Sequence, residues 1–466
     1  MDFSTSFSLE KVEIYKVGSD EPTLITDLVL EFVYFENIFD PSLSMRLRLS
    51  DQGGNLISSL PIQGTERVVI DLTDTVGEPY TYEGRIFKIP TRFTGEKIQY
   101  YEIELVSMDG LLNEGIRVTK ILKGKPEKIV RDILENYMKI PSDRIKTEAS
   151  QFNVSFSPGK SKPFKIIQSL QNKTVSNSTK AEVKTSENNS GESENKTNSE
   201  LSPTDSDEYG KSSGSSGYFF YQNYDGFKFE SIDTLYANKS PVLRLFQDRI
   251  ESETSPQEDK ILDITYENEI NVLNKLRLGA YSSLICYYNY STGAYEEYTY
   301  SLADSYDKMG HQGTQSGLGK GQKDLSKYPT RVMSVLLDHE TWYSGGLAAS
   351  PEQRDGGEGA TEFPDYQKYY MAQSISRISS MNLQKAQIKI SGRPSLKVGD
   401  SVEIFIPNQV VAKERSNKPW DPEHSGIYLV TSVQHKYLCK KARCYTFIGI
   451  MRDSYGAPGY ASNVEG

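Results

Sequence analysis

Three cysteines, four histidines and two tryptophans in 466 residues leave little of the chemistry on which catalytic, metal-binding or disulfide-stapled proteins usually rely. Cys286, Cys439 and Cys444 are too few and too scattered for a disulfide framework, so reduced thiols are expected. Cys439 and Cys444 flank a turn at Lys440 to Arg443. They could face each other across a hairpin or supply half a metal site, but a zinc site needs four ligands and no partner pair stands nearby. His311, His339, His424 and His435 show no HExxH or paired metal spacing and are expected on the surface or in loops. No GxSxG elbow and no recognisable nucleophilic cysteine supports acyl transfer. No catalytic residue, cofactor or metal ion is expected.

Clustered positive charge and long apolar runs are missing too. Lys and Arg number 53 against 63 Asp and Glu, a net charge of -10. That balance argues against a general binder of nucleic acid or anionic membrane. The most apolar early stretch, Leu24 to Phe39, carries Asp27, Glu31 and Glu36, and no window approaches the roughly 20 apolar residues of a membrane span. The opening MDFSTSFSLEKVE has neither a basic nor an apolar region of a secretory signal, so synthesis in a cytoplasm is expected.

Two further enzymatic options are set aside, the first on spacing and the second on pattern. In SGLGKGQKD, five residues separate Gly313 from Gly319-Lys320, and Gly321 stands where a phosphate-binding loop needs Ser or Thr for magnesium. Glu102 and Glu104 share one face of a strand, as an acid pair of a glycosidase would require. They alternate with Tyr101, Ile103 and Leu105, the pattern of a solvated strand face.

What is present is a long, β-patterned chain. Its length predicts about two to four packing units, and its mean hydropathy of -0.55 is depressed by one polar segment. Leu43, Met45, Leu47 and Leu49 alternate with polar residues, as do Val68, Ile70 and Leu72, so the first 107 residues read as antiparallel strands of a sandwich or barrel. Pro126 then opens a helix, PEKIVRDILENYM, with Ile129, Val130, Ile133, Leu134 and Tyr137 on one face. A shorter helix follows at Pro163 to Leu170. From Asn172 to Gly217 the composition falls to Ser, Thr, Asn, Lys and Glu, which cannot offset the entropy of ordering, so a disordered insertion is expected. Its Asn-x-Thr triplets, as at Asn172 and Asn195, carry no weight without a signal peptide.

Beyond the insertion, YFFYQNYDGFKFESIDTL predicts a hairpin around Asp225-Gly226, and a second is expected around Ser291 to Gly293. A helix near Tyr366 to Met381 leads into a last β unit. Its alternating residues are Ile388 and Ile390, then Val402, Ile404 and Ile406, then Ile427, Leu429, Thr431 and Val433. The 31 tyrosines suit both strand cores and protein interfaces. An internal repeat is expected: Gly64 to Ile70 followed by Glu83 to Phe87 resembles Gly399 to Ile404 followed by Ser425 to Tyr428.

The order of these features, IQGTERVVIDL, YEGRIFKI, YEIELVSMDGLLNEG, the Pro-initiated helix, FFYQNYDGFKF, LKVGDSVEIFIPN and GIYLVTSVQHKY, resembles the central baseplate hub proteins of contractile-tailed (myovirus-type) bacteriophages. It is also similar to the hub part of type VI secretion spike proteins, although a spike would continue into a long repetitive β-helix. The resemblance covers most of the chain except the insertion. It implies a mainly β fold with minor α (α+β), with two similar antiparallel β-barrel-like tube domains and an intervening α/β domain. In those terms residues 1–114 form the first barrel, and 115–171 with 241–382 form the intervening α+β domain. Residues 172–217 are the disordered polar insertion, 218–240 with 383–453 the second barrel, and 454–466 a C-terminal tail. The resemblance further implies a non-enzymatic structural virion protein, a homotrimer at the centre of the tail baseplate assembled in the host bacterial cytoplasm. Its partners would be a spike below, the tail tube or its initiator above, and baseplate wedge proteins at the side. DNA would be passing cargo, repelled by an acidic lumen; a basic channel wall in a map of the assembly would contradict that last point. A receptor-binding or glycan-degrading tail protein is the alternative.

Overall fold

The structure is a computed structural model describing residues 5–51, 62–94, 98–151, 153–176, 215–237, 240–247, 260–267, 271–289, 295–306, 309–313, 325–337, 366–408, 420–421 and 423–455. Period-two alternation builds the first unit from β1 (Thr5–Tyr15), β2 (Pro22–Leu24), β3 (Val29–Asn37), β4 (Ser44–Asp51), β5 (Arg67–Asp74), β6 (Pro79–Thr94) and β7 (Gln99–Val106). In β4, Met45, Leu47 and Leu49 are buried while Ser44, Arg46 and Arg48 lie on the opposite face, because successive side chains leave a strand on opposite sides. Each such buried side chain contributes about 1.5–3 kcal/mol.

The next unit mixes helices with short strands: α1 (Met108–Gly115), β8 (Leu122–Gly124), α2 (Pro126–Asp132), β9 (Ile145–Thr147), β10 (Val154–Phe156), α3 (Pro163–Gln171), β11 (Tyr218–Asn223), β12 (Gly226–Ser231) and α4 (Ile232–Ala237). Pro126 occupies the first turn of α2, where its missing N–H costs nothing. Ile129, Val130, Ile133 and Leu134 are buried as their spacing predicts. In the β11–β12 hairpin the two turn residues are Tyr224 and Asp225, one position earlier than expected, and Gly226 starts β12 with φ of +135°. A Cβ on Gly226 would run into the Arg144 carbonyl, so the hairpin approaches its neighbour as only glycine permits. The hairpin pairs with β9, in parallel, and among the described residues with no barrel strand. It still serves both bodies, because Tyr218, Phe220, Phe227 and Phe229 enter the intervening core while Phe219 and Tyr221 enter the core of the second barrel.

The remaining elements are β13 (Leu243–Phe246), β14 (Ile261–Tyr266), α5 (Val272–Leu278), β15 (Ser282–Asn289), β16 (Tyr295–Ser301), α6 (Leu302–Ser305), β17 (Arg331–Leu337), α7 (Tyr366–Met381), β18 (Gln384–Ser391), β19 (Ser401–Phe405), β20 (Gly426–Leu438) and β21 (Arg443–Arg452). Strands β15 and β16 are the arms of the hairpin expected around Ser291 to Gly293; those connecting residues lie outside the described residues.

Two closed circuits of strands result. The first runs β1-β5-β6-β7-β4-β3-β20-β21 and returns to β1. The second runs β20-β19-β13, crosses to β14 by a single bridge between Phe246 and Lys260, and returns through β18 and β21. The long hairpin β20–β21 belongs to both, so the barrels share a wall, and neither can turn against the other without breaking a ladder. The fold is mainly β, with two similar barrels and an α/β unit between them in sequence.

The similarity of the barrels extends to register. In the first, β3 pairs with β4, β4 with β7, β7 with β6 and β6 with β5. In the second, β14 pairs with β18, β18 with β21, β21 with β20 and β20 with β19, again all antiparallel. Irregularities between Val29 and Glu31 and between Ile86 and Lys88 recur between Ile261 and Asp263 and between Val430 and Ser432. Tyr34 thereby corresponds to Tyr266, Val68 to Val402 and Ile86 to Val430. Thr65 N–H donates to the Ile86 carbonyl and Ile86 N–H to that of Glu66, while Gly399 N–H donates to Val430 and Val430 N–H to Asp400. Both entry residues are left-handed, Thr65 with φ of +72° and Gly399 with +93°. The expected match of Val68 and Ile70 with Val402 and Ile404 agrees with this register. The second half of that match is corrected, since the counterpart of Gly84 is Tyr428, two residues beyond Gly426.

Residues 177–214 of the expected insertion lie outside the described residues. Its flanks do not behave as a polar linker. Thr174, Ser176, Ser215 and Ser216 are buried, and Val175 bridges Ser216 while Ser176 bridges Ser150. The chain leaves and re-enters the fold at adjacent points. Replacing residues 177–214 by a four-residue turn is therefore expected to raise stability by roughly 1–2 kcal/mol through cheaper loop closure. A lowered urea midpoint would show that the segment contributes packing.

Candidate functional site

The joint between the barrels forms where three chain segments meet. Strand β3 passes from the first barrel wall toward the shared hairpin and carries Glu36, which is 3% exposed. Its carboxylate accepts from the Tyr34 hydroxyl at 2.8 Å, from Tyr224 N–H at the hairpin tip at 2.7 Å, and from Val398 N–H in the turn before β19 at 2.8 Å. One side chain thus ties the first barrel, the hairpin of the intervening unit and the second barrel. Burial pushes its pKa up to about 7, against the pull of these donors and of Lys397.

The surroundings hold this joint rigidly. Lys397 pairs with Asp225 at 2.6 Å, and its ammonium lies over the Tyr224 ring. The ring of Tyr224 packs edge-on against Tyr80 and Tyr82, in the first barrel. Gly399 has no room for a side chain, since a Cβ would meet the Tyr221 hydroxyl. His435 of β20 lies opposite Tyr34 and stacks on it, with ring centroids 6.0 Å apart. Its ring nitrogens reach Thr446 Oγ1 at 3.0 Å and the Leu396 carbonyl at 3.2 Å, so Nε2 is a donor to the carbonyl. Burial lowers its pKa to about 4.

A second polar cluster anchors the intervening unit. Arg377 of α7, 2% exposed, pairs with Asp233 of α4 at 2.9 Å and with Asp453 after β21 at 3.2 Å. It also donates to the Gly310 carbonyl at 2.6 Å. Asp233 accepts from Ser176 Oγ, Ser215 N–H and Gly310 N–H, which closes the neck of the insertion. Asp453 accepts from Gln312 N–H and Ser454 Oγ. Burial opposes ionisation of Asp233, but the Arg377 charge and these donors outweigh it and hold the carboxyl below its ordinary value.

The outer face of the first barrel is laced with charge. Lys436 of β20 reaches Glu31 of β3, Glu31 reaches Arg48 of β4, and Arg48 and Arg46 both reach Glu102 of β7, at 3.0–3.4 Å. Glu104 pairs with Lys88. Glu102 and Glu104 are therefore cross-strand ion partners on an outer face, as their alternation predicts. Exposed pairs contribute little stability and mainly fix register.

The other flagged residues fall as follows. Cys286, Cys439 and Cys444 are free. Cys444 lies opposite Tyr437, not Cys439, and burial pushes the Cys439 thiol up to about 12 and that of Cys444 up as well, so neither is a ready nucleophile. The expectation of surface or loop histidines is corrected for His435, which is fully buried because β20 is a wall between two cores. His311 stacks on Tyr306 in a loop, and His424 pairs with Asp421 in a turn at 2.9 Å. His339, Gly319, Lys320 and Gly321 lie outside the described residues. Among the described residues no group of three or more His, Cys, Asp or Glu could hold a metal ion, and no helix is long and apolar enough to cross a membrane. Tyrosine serves mainly the cores: twelve described tyrosines are buried and five well exposed. Asp233, Arg377 and Asp453 were not singled out by sequence, and Glu36 only as a charge interrupting an apolar stretch. The available signal was a charge inside an apolar pattern, as in FVYFENIF and SISRISSM.

No protein-family model and no curated protein matches the chain. Solved structures do resemble it. A tail protein from Neisseria meningitidis MC58 is 8% identical, with a TM-score of 0.49 and 98% of this chain and 99% of that one covered. A 43 kDa tail protein of prophage MuSo2 from Shewanella oneidensis is 9% identical, with a TM-score of 0.49 and coverage of 97% and 99%. An E. coli component of the type VI secretion system, described as structurally similar to T4 bacteriophage tail proteins, is 10% identical, with a TM-score of 0.41 and coverage of 97% and 80%.

Proposed function

We propose that this chain is a structural virion protein, the central hub of a phage tail baseplate. In this reading it acts as a homotrimer that adapts a threefold spike to a sixfold tail tube and lines the DNA channel. The observation that carries the reading is the register-level repeat. Two barrels of one design per chain, locked by a shared hairpin, make three chains equivalent to six units, which is what a threefold-to-sixfold adaptor needs. The mechanism is geometric and calls for no catalytic group. Spike, tube or tube initiator, and wedge proteins are the partners, assembled in the host cytoplasm into the virion.

Light scattering of the purified chain, alone and with its candidate spike, tests this. A mass of three chains in either condition is the expected result. Persistent monomer at micromolar concentration in both would overturn it.

A further inference from the structure

The repeat leaves one contact of the pair unmatched. Along one edge, β20 pairs first with β19 and then, from Ser432 to Leu438, with β3. The corresponding edge of β6 pairs first with β5, but from Lys88 onward it pairs with no strand among the described residues. In the same way β3 has its outer edge covered by β20, whereas its counterpart β14 carries, among the described residues, no ladder on that edge beyond the bridge at Lys260. The exposures agree: Tyr34 is 2% exposed and its counterpart Tyr266 is 42% exposed. Phe32 is fully buried, while its counterpart Ile264 is only half-buried.

We propose that the outer edge of β14 in one copy of this chain pairs antiparallel with the free edge of β6 in the next copy, repeating between chains the contact that β3 makes with β20 within one. The inference rests on the ring proposed above and adds the residues that would close it. Carried through the equivalent register, Arg92 falls opposite Tyr266, as His435 falls opposite Tyr34, and Thr91 falls opposite Glu267. A guanidinium over a tyrosine ring would replace the stacked imidazole. Charge fits at Arg92 on the β6 edge and Asp263 on the β14 edge, while Lys88 is held by Glu104 and Glu267, just after β14, by Lys385 within the chain.

Pro90 has no N–H to give, and a second irregularity surrounds it, so the ladder would span only Thr91–Thr94 against Ile264–Glu267. Such a contact is heterologous: each copy offers one edge and receives the other. Contacts of this kind close into a ring when the rotation allows, and three copies would give six barrels in succession.

Cysteine cross-linking tests the pairing. Arg92→Cys and Tyr266→Cys chains, mixed and oxidised, are expected to give a disulfide-linked dimer, while either variant alone gives none. The double variant is expected to give a covalent trimer. Arg92→Glu should weaken self-association by roughly tenfold or more, as reversal of an interfacial charge does, with thermal melting confirming that the variant folds. A trimer that never cross-links, or one that Arg92→Glu leaves intact, would overturn the strand pairing and leave the hub reading standing. Persistent monomer of the unaltered chain would remove both.

Discussion

Replacing Arg377 by leucine is expected to cost about 3–5 kcal/mol, the loss typical when one member of a buried ion cluster is removed and its partners stay charged. The size follows from what remains. Asp233 would keep Ser176, Ser215 and Gly310 as donors, and Asp453 would keep Gln312 and Ser454, but the cation between them would be gone. Asp233 would then lose the attraction that offsets its burial, so its pKa would rise and the folded state would bind a proton that the unfolded state releases. The deficit should accordingly grow from pH 4 to pH 7. Urea midpoints across that range measure it. Amide exchange at Ser215–Tyr218 should quicken, because Asp233 also closes the neck of the insertion. Exchanging Asp233 and Asp453 for asparagine in the same chain should recover part of the loss, since no charge is then stranded. A change below about 1 kcal/mol for Arg377→Leu would mean that water reaches the cluster.

What the sequence made legible depends on how local the signal is. The strands β4, β7 and β18, the helix begun by Pro126 and the aromatic hairpin all declare themselves through a period or a breaker within a dozen residues. The repeat of the barrels was legible only at Val68 with Val402 and Ile70 with Ile404, because most equivalent positions share geometry without sharing residue type. Thr65 stands where Gly399 does, Gly84 where Tyr428 does, and Arg92 where His435 does. Backbone register and bulges preserve the design, and neither is written in composition. The joint was hidden for a related reason. Glu36, Tyr224 and Val398 are remote along the chain, and only closure of both barrels brings them within hydrogen-bonding distance. The neck of the insertion shows the converse error of locality. Ser176, Ser215 and Ser216 look like linker residues in a window of serines, yet they are buried because a distant carboxylate and Gln373 satisfy them.

Removing either of two titrating groups at the joint is expected to unmask a pH dependence that the unaltered protein largely cancels. Glu36 has its pKa raised from 4.5 to about 7. A raised carboxyl favours the folded state most below pH 4.5, and that contribution is lost as the pH climbs to about 7. His435 has its pKa lowered from 6.5 to about 4. A lowered imidazole contributes fully above pH 6.5, and its contribution is lost as the pH falls to about 4. Each displacement is worth roughly 3 kcal/mol across its window, and between pH 4.5 and 6.5 the two slopes oppose each other. Tyr34, Tyr82, Tyr224 and Lys397 face this site, and the neighbouring Asp400, whose pKa burial raises, adds a slope of the same sense as that of Glu36 in every variant. His435→Gln keeps a donor toward the Leu396 carbonyl and an acceptor toward Thr446, so it should leave a stability that falls from pH 4.5 to pH 7. Glu36→Gln places an amide N–H against Val398 N–H and should be less stable throughout, but its stability should rise from pH 4 to pH 6.5. Slope, not offset, is the readout, taken from urea midpoints at half-unit steps. Two variants that both keep the slope of the unaltered chain would mean that neither group titrates in the folded joint, whereas opposite slopes place both titrating groups at the joint between the barrels.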